Sequence, residues 1–214
     1  MVVVKHFTRS SRYLYNCETE DLYEQTEKVC KKVRQKSGWM FRSFYNRQGW
    51  FLRHMWNSLI QPHIDYCSQL WAPDEGGELQ KIEKLLKDYT SRIPEVSTMT
   101  YWERLKKLKM NSQQRRIERY KIIYVWKTLG KLVPGANLML ANEGEQSFQV
   151  AGPILFNFLP KEIRNKKGCG VEEFKENLDK FLLQTIPDEP KIGGAMPLNI
   201  KQSNSIIHQL ERGG

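Results

Sequence analysis

Apolar residues recur at helical spacing along most of this chain. From Asp21 to Phe44 they fall every three or four positions, which predicts an amphipathic helix whose second half is weakened by Gly38. A second helix is predicted from Arg47 to Leu59. Pro62 is expected to end it, because proline lacks the N–H that a helix interior uses.

The same spacing continues beyond the first two helices. Thr100 and Glu103 form a capping-box pair, which predicts a helix start at this point. Gly130 follows a longer apolar-periodic stretch and is typical of a helix C-terminus. Further helices are predicted at 79–89, 101–108, 112–129 and 171–183.

The helices and the segments between them predict five regions. These are an N-terminal stub (1–20), a basic helical region (21–130), a linker (131–146), a small C-terminal helical motif (147–186) and a loose tail (187–214). A short strand followed by a helical turn is expected within 147–158. The fold class is all-α or mostly α: a bundle of short antiparallel helices with at most a minor β element.

Charge is distributed unevenly along the 214 residues. Residues 1–130 carry 24 Lys and Arg against 14 Asp and Glu, which accounts for the whole net charge of +10. Between Lys28 and Ile64 there is no carboxylate at all. Such a region points to a polyanionic partner. No basic helix has a clean apolar face opposite its charges, so nucleic acid is favoured over an anionic membrane.

Bulky aromatic residues are interleaved with these cations. Core packing is the favoured interpretation for Trp39, Phe41, Phe44, Trp50 and Trp56, because large rings at helical spacing usually pack inward. Stacking of one ring on a base remains an alternative. The isolated histidines His54 and His63 are expected to have structural roles rather than acid–base roles.

The sequence lacks the residue patterns that bind metal ions or carry out polymerisation. The four cysteines are far apart and lack zinc-site spacing, so reduced thiols in an intracellular protein, in the nucleus or cytoplasm, are expected. The opening residues are charged too soon for a signal peptide. Two-metal polymerase chemistry needs paired carboxylates, and the chain contains no Asp-Asp. We therefore expect a non-enzyme without a cofactor.

Four segments stand out by their order and spacing along the chain. They are Trp39–Arg47 (WMFRSFYNR), Trp56–Pro73 (WNSLIQPHIDYCSQLWAP), Thr100–Leu108 with Arg115–Ile123, and Ser147–Arg164 leading to Phe174-Lys175. Together they resemble one family, the reverse transcriptases of non-LTR retrotransposons of the jockey, RTE and related LINE-like groups. The resemblance spans roughly residues 20–206 and lies in the stretch that follows the catalytic palm in that family.

The resemblance implies that residues from about 20 to 92 correspond to the thumb, a helical element that grips the template–primer duplex. The Mg²⁺ ions of polymerisation would belong to a palm upstream of this chain, as part of a longer polyprotein. Members usually carry a longer segment, often with an Arg-Gly pair, where this chain has only Asn137–Glu145 without a basic residue. This departure is typical of a decayed or edited copy.

The candidate binding residues are the cations of the basic region. We expect them to contact backbone phosphates of RNA or DNA without reading sequence. They are Lys31, Lys32, Arg34, Lys36, Arg42, Arg47, Arg53, Arg115 and Arg116.

Two functions from different classes remain open. The first is a non-catalytic fragment of a retrotransposon RNA-directed DNA polymerase that binds template–primer, with no membrane role. The second is a domesticated or degenerate helical module that binds protein through its neutral half, 131–214. A relic without activity fits the same residues.

Overall fold

The computed structural model describes residues 3–6, 19–66, 68, 76–133, 136–139, 148–165, 168–186, 188 and 205–211. Most of these residues are helical, which confirms the predicted fold class. The chain divides into two compact units. The basic unit comprises Thr19–Ile117 and Asp188–Ser203, and the second unit comprises Met1–Glu18, Glu118–Pro187 and Asn204–Gly214. This division falls at 117/118, whereas the sequence pattern placed a boundary after 130.

The helices of the basic unit follow the predicted order. Those expected from 21, 79, 101 and 112 are present within a few residues of their predicted bounds. In chain order the elements are α1 (Thr19–Ser43), α2 (Gly49–Met55), a π-helical turn (Trp56–Ile60), α3 (Gln61–Asp65), α4 (Gly76–Ser91), a 3₁₀ turn (Pro94–Val96), α5 (Tyr101–Leu108) and α6 (Gln113–Leu129), which continues into the second unit.

The prediction that Pro62 ends the second helix is wrong. Helix α2 passes through the wider turn Trp56–Ile60 and continues as α3, with Pro62 in the first turn of α3. A proline is tolerated there because its missing N–H falls where the hydrogen-bond ladder is already interrupted. The two short helices consequently run on without a loop between them.

The core of the basic unit is built around Tyr89 of α4. Its hydroxyl donates a hydrogen bond of 2.8 Å to the Leu52 carbonyl, and its ring lies 4.7 Å from Trp56 and 5.1 Å from Phe41, between ring centroids. Both rings are buried, so the core prediction is confirmed for Phe41 and Trp56. Further buried members are Val33, Met40, Ile60, Ile82, Leu86 and Ile93.

Two carboxylates of the basic unit accept hydrogen bonds from residues at the start of α6. The buried Glu83 carboxylate accepts hydrogen bonds from the Tyr101 hydroxyl and from the backbone N–H groups of Gln113 (2.9 Å) and Gln114 (3.2 Å). Asp188 accepts two more from Ser112, at 2.7 Å from the backbone and 2.6 Å from the hydroxyl. The first N–H groups of a helix have no intrahelical partner, and these carboxylates satisfy several of them.

The second unit contains the remaining helices and the β element. Strands β1 (Val3–His6) and β2 (Ala136–Met139) pair antiparallel, with Val3 opposite Met139. Trp126 and Phe174 stack at 4.4 Å in its core. Besides the end of α6, its helices are α7 (Phe148–Phe158), α8 (Lys161–Arg164), α9 (Val171–Thr185) and α10 (Ile206–Glu211).

Two local predictions in the second unit do not hold. The described residues 148–158 form one helix, not a strand followed by a turn. In the tail 187–214, expected to be loose, the described residues Ile206–Glu211 form α10, and most of the remaining tail lies outside the described residues. Ile206 is buried and donates its backbone N–H to Glu118 at 2.8 Å. The bond between Ile206 and Glu118 joins residues that are distant in the sequence, and local patterns do not report such contacts.

Candidate nucleic-acid interface

Helix α1 sets the orientation of most of the candidate cations. Its buried side carries Thr26, Val29, Val33 and Met40, spaced three, four and seven residues apart. Side chains three or four apart share one face of a helix, and Cys30 next to Val29 is buried with this face. The exposed cations between the buried positions are Lys28, Lys31, Lys32 and Arg34. The charges of α1 are therefore directed outward by its apolar side.

Three lysines of α1 form one line, which we call the lysine stripe: Lys28, Lys32 and Lys36. They are four residues apart, so each is displaced about 6 Å along the helix axis from the last. Lys28 makes an exposed ion pair with Glu24 at 2.8 Å. Within the described part of the chain, no ion pair is seen for Lys32 or Lys36. Lys28 was not among the predicted binding residues, although its spacing of four residues from Lys32 is visible in the sequence.

The lysine stripe borders a groove between α1 and α3. The groove has a volume of about 360 Å³ and is lined by Gln25, Lys28, Val29, Lys32, His63 and Tyr66. Burial, together with the charges of Lys32 and Lys36, lowers the pKa of His63. The groove is thus a concavity with a positive potential, a suitable shape and charge for a phosphate. His63 and Tyr66 were not predicted as site residues.

Two large aromatic residues lie exposed near the end of α1. Trp39 is 50% exposed and Trp50 is 66% exposed, so the core-packing prediction is wrong for both. Helical spacing places Trp39 seven residues after Lys32, on the same side as the lysine stripe. Trp50 lies in the first turn of α2, opposite the buried Leu52 side. Phe44, which follows α1, is half-buried and packs against Trp39.

Other predicted cations of α1 and α2 point elsewhere. Lys31 and Arg42 are exposed on the outer side of α1, and Arg53 is half-buried. Arg34 lines a smaller groove of about 190 Å³ on the side toward α4, with Asp88 and Arg92. The structure therefore brings Lys32 and Lys36 together, while Arg34 lies on a different side of the helix.

Arg47 is used within the loop that joins α1 to α2. Its guanidinium donates a hydrogen bond to the Phe41 carbonyl and lies 5.3 Å from the centre of the Phe41 ring. Arg92 lies 3.9 Å from the same ring. These contacts hold the loop against the core, so Arg47 has less freedom to follow a ligand than the lysines of α1.

Arg115 and Arg116 lie beside carboxylates of the basic unit. Arg115 is buried with its Nε 3.8 Å from an Asp188 oxygen. Arg116 pairs with Asp65, with 2.5 Å between Nη2 and Oδ2. Charges paired in this way contribute to the packing of α6.

Comparisons with known proteins identify no relative. The chain matches no protein-family model, no curated protein and no solved structure. Within the described residues, no group of His, Cys, Asp and Glu side chains is arranged to hold a metal ion. No described helix combines the length and apolar composition needed to cross a bilayer.

Proposed function

We propose that this chain is a non-catalytic part of a retrotransposon reverse transcriptase that binds an RNA or DNA template–primer through its backbone phosphates. The observation that carries the proposal is the lysine stripe, which borders a concave groove. The four ordered segments that resemble non-LTR reverse transcriptases support the proposed origin. Two of them, Trp39–Arg47 and Trp56–Pro73, contribute residues beside this groove and its neighbouring aromatic surface.

The chemistry of the stripe suits phosphates rather than bases. A lysine ammonium is a compact charge on a flexible stem, and it attracts an anion from many directions without reading a pattern of donors and acceptors. Because the three lysines are displaced along the helix, each can meet a different phosphate of one strand. Binding would release the counterions of those phosphates, so it would weaken steeply as salt rises.

The test is a salt series with a matched pair of variants. Fluorescence anisotropy with a labelled RNA–DNA hybrid should give a log–log slope of affinity against salt of about −3 for roughly three phosphate contacts. The double substitution K32Q/K36Q should reduce the size of that slope by about 2. The control is K84Q/K107Q, which removes two charges from exposed positions on α4 and α5.

Two results would contradict the proposal. A flat salt response, or no binding at low salt, would exclude phosphate binding by this chain. Equal loss in the stripe variant and in the control would show that only total charge matters. In that case the groove would have no role as a site.

A further inference from the structure

Four aromatic side chains form a continuous row at the end of α1 and the start of α2, which we call the aromatic ladder: Trp39, Phe44, Phe51 and Trp50. Successive ring centroids lie 5.8, 5.6 and 5.9 Å apart, and the interplanar angles of 86°, 66° and 82° make every contact edge-to-face. The two phenylalanines are half-buried, whereas the two indoles at the ends are the exposed members. The ladder therefore anchors two indoles on the surface.

The packing of the ladder leaves indole surface free for a flat ligand. An edge-to-face contact uses only one face or one edge of each indole. The Trp50 Nε1–H donates to Gln48 Oε1 at 2.7 Å, and because this N–H lies in the plane of the ring, the bond orients the indole without covering its faces. The site is thus preorganised, so little freedom is lost when a ligand binds.

The ladder is continuous with the lysine stripe. Trp39 follows Lys36 by three residues and Lys32 by seven, so all three lie along one side of α1. A ligand that follows this side meets positive charges first and flat apolar surface next. Single-stranded nucleic acid has the matching features, since every nucleotide joins a phosphate to a base with two π faces.

We propose that the aromatic ladder binds unpaired bases by stacking, so that this surface takes a single-stranded segment whose phosphates lie on the lysine stripe. The inference rests on the proposed function and goes beyond it by specifying an unpaired strand. In a continuous duplex the base faces are covered by their neighbours, and the indoles would have nothing to stack on. Charge complementarity favours this ligand over an apolar protein surface, because the flanking lysines carry no paired carboxylates at Lys32 and Lys36 among the described residues.

The experiment uses the full chain, a labelled single-stranded pyrimidine oligonucleotide and the blunt duplex of the same sequence. Trp39→Ala and Trp50→Ala should each lower single-strand affinity by about five- to a hundredfold. Duplex affinity should change less than about threefold, and the salt slope should stay the same because no charge is removed. Trp39→Leu and Trp50→Leu keep an apolar group against the phenylalanines while removing the π face, and they should show the same selective loss.

The outcomes separate this inference from the proposed function. Unchanged single-strand affinity in the Ala and Leu variants, with loss in K32Q/K36Q, would overturn stacking and leave phosphate binding intact. Absence of nucleic-acid binding in the unsubstituted chain would overturn both. Binding of an acidic peptide, lost in the same tryptophan variants and as tight as binding of the oligonucleotide, would show that the ladder is a protein-docking surface. Circular dichroism of each variant checks the fold.

Discussion

Glu83 carries the most strongly shifted carboxyl group in the basic unit. Burial raises its pKa to about 7, and the negative charge of Asp188 adds to the rise. Hydrogen bonds from Tyr101 and from the backbone of Gln113 and Gln114 act in the opposite direction but do not cancel it. Because Glu83 also holds the first N–H groups of α6, its protonation state bears on the stability of the unit.

We predict that stability attributable to Glu83 falls as pH rises. The folded-state pKa is above the ordinary value of 4.5, so this contribution is complete below about pH 4.5 and is lost as pH rises through about 7. In that window one proton changes stability by at most about 1.4 kcal/mol per pH unit. Urea unfolding of the unsubstituted chain and of Glu83→Gln between about pH 4.5 and 8 measures how the free energy of unfolding depends on pH. Parallel curves would contradict the prediction.

The position of His63 in the groove leads us to predict that oligonucleotide affinity depends on pH. His63 lies in the groove with Lys28 and Lys32, and burial together with the charges of Lys32 and Lys36 lowers its pKa. Asp65 belongs to the same helix, and Tyr66 follows it. A phosphate in the groove would favour the protonated imidazole and raise this lowered pKa, so binding takes up a proton and affinity increases as pH falls toward the lowered pKa of the unliganded site.

Oligonucleotide affinity measured between about pH 7.5 and 5.5 tests this dependence. His63→Gln should flatten the profile. His54→Gln changes an exposed histidine of α2 that does not line the groove, and it should leave the profile as it is. A profile that is equally steep in His63→Gln would assign the proton to another group.

Among the elements, α5 shows how far a local signal determines structure. Thr100 and Glu103 were predicted to form a capping box, and both reciprocal hydrogen bonds are present. The Thr100 backbone N–H donates to the Glu103 carboxylate at 2.8 Å, and the Glu103 backbone N–H donates to the Thr100 hydroxyl oxygen at 3.4 Å. The prediction is confirmed because all four groups lie within one turn of chain. No tertiary contact is needed to bring them together.

Removal of the cap should destabilise the basic unit by about 1 kcal/mol. Thr100→Ala removes the hydroxyl that accepts the Glu103 N–H. Thr98→Ala is the matched control, since Thr98 is exposed and precedes the helix. Free energies of unfolding from urea titration compare the two. Equal values for both variants would mean that tertiary packing alone maintains the start of α5.

The second helix shows where a local signal fails at this scale. Proline interrupts a regular helix, so an end before Pro62 was the expectation. The chain instead passes through a π turn that packs Trp56 and Ile60 into the core. Burial of these side chains offsets the poorer hydrogen bonding of the turn. The spacing of apolar residues in the sequence identifies Trp56 as a core candidate. It does not identify the residues against which this ring packs.

At the scale of the whole molecule, two groups of cations among the described residues have different surroundings. Lys32, which is exposed, and Lys36, which is half-buried, belong to the lysine stripe beside the groove. Arg115 and Arg116 lie beside carboxylates of the basic unit. The sequence shows all of them as one basic region, since formal charge does not distinguish a surface lysine from an arginine in a packed network.

We predict that removing charge from the two groups changes the free energy of unfolding by different amounts. K32Q/K36Q should change the free energy of unfolding by no more than about 0.5 kcal/mol, because neither lysine has an ion pair among the described residues and surface substitutions away from such networks are nearly neutral. Arg116→Gln should destabilise by about 1–2 kcal/mol, because Asp65 then loses its charged partner in a partly buried site. Thermal unfolding of both variants measures the difference. Similar losses in the two would contradict this division.

The amino-acid sequence alone determines the helical class, most of the helix positions in the basic unit and the excess of positive charge. These properties depend on spacing, capping and composition, which act within a few residues of chain. Tertiary structure decides that Trp56 is buried while Trp39 and Trp50 are exposed, that His63 faces Lys32, and that Arg116 is paired with Asp65. Each of these depends on residues far apart in the sequence being brought together, and the hydrophobic effect that drives their packing does not specify the partners in advance.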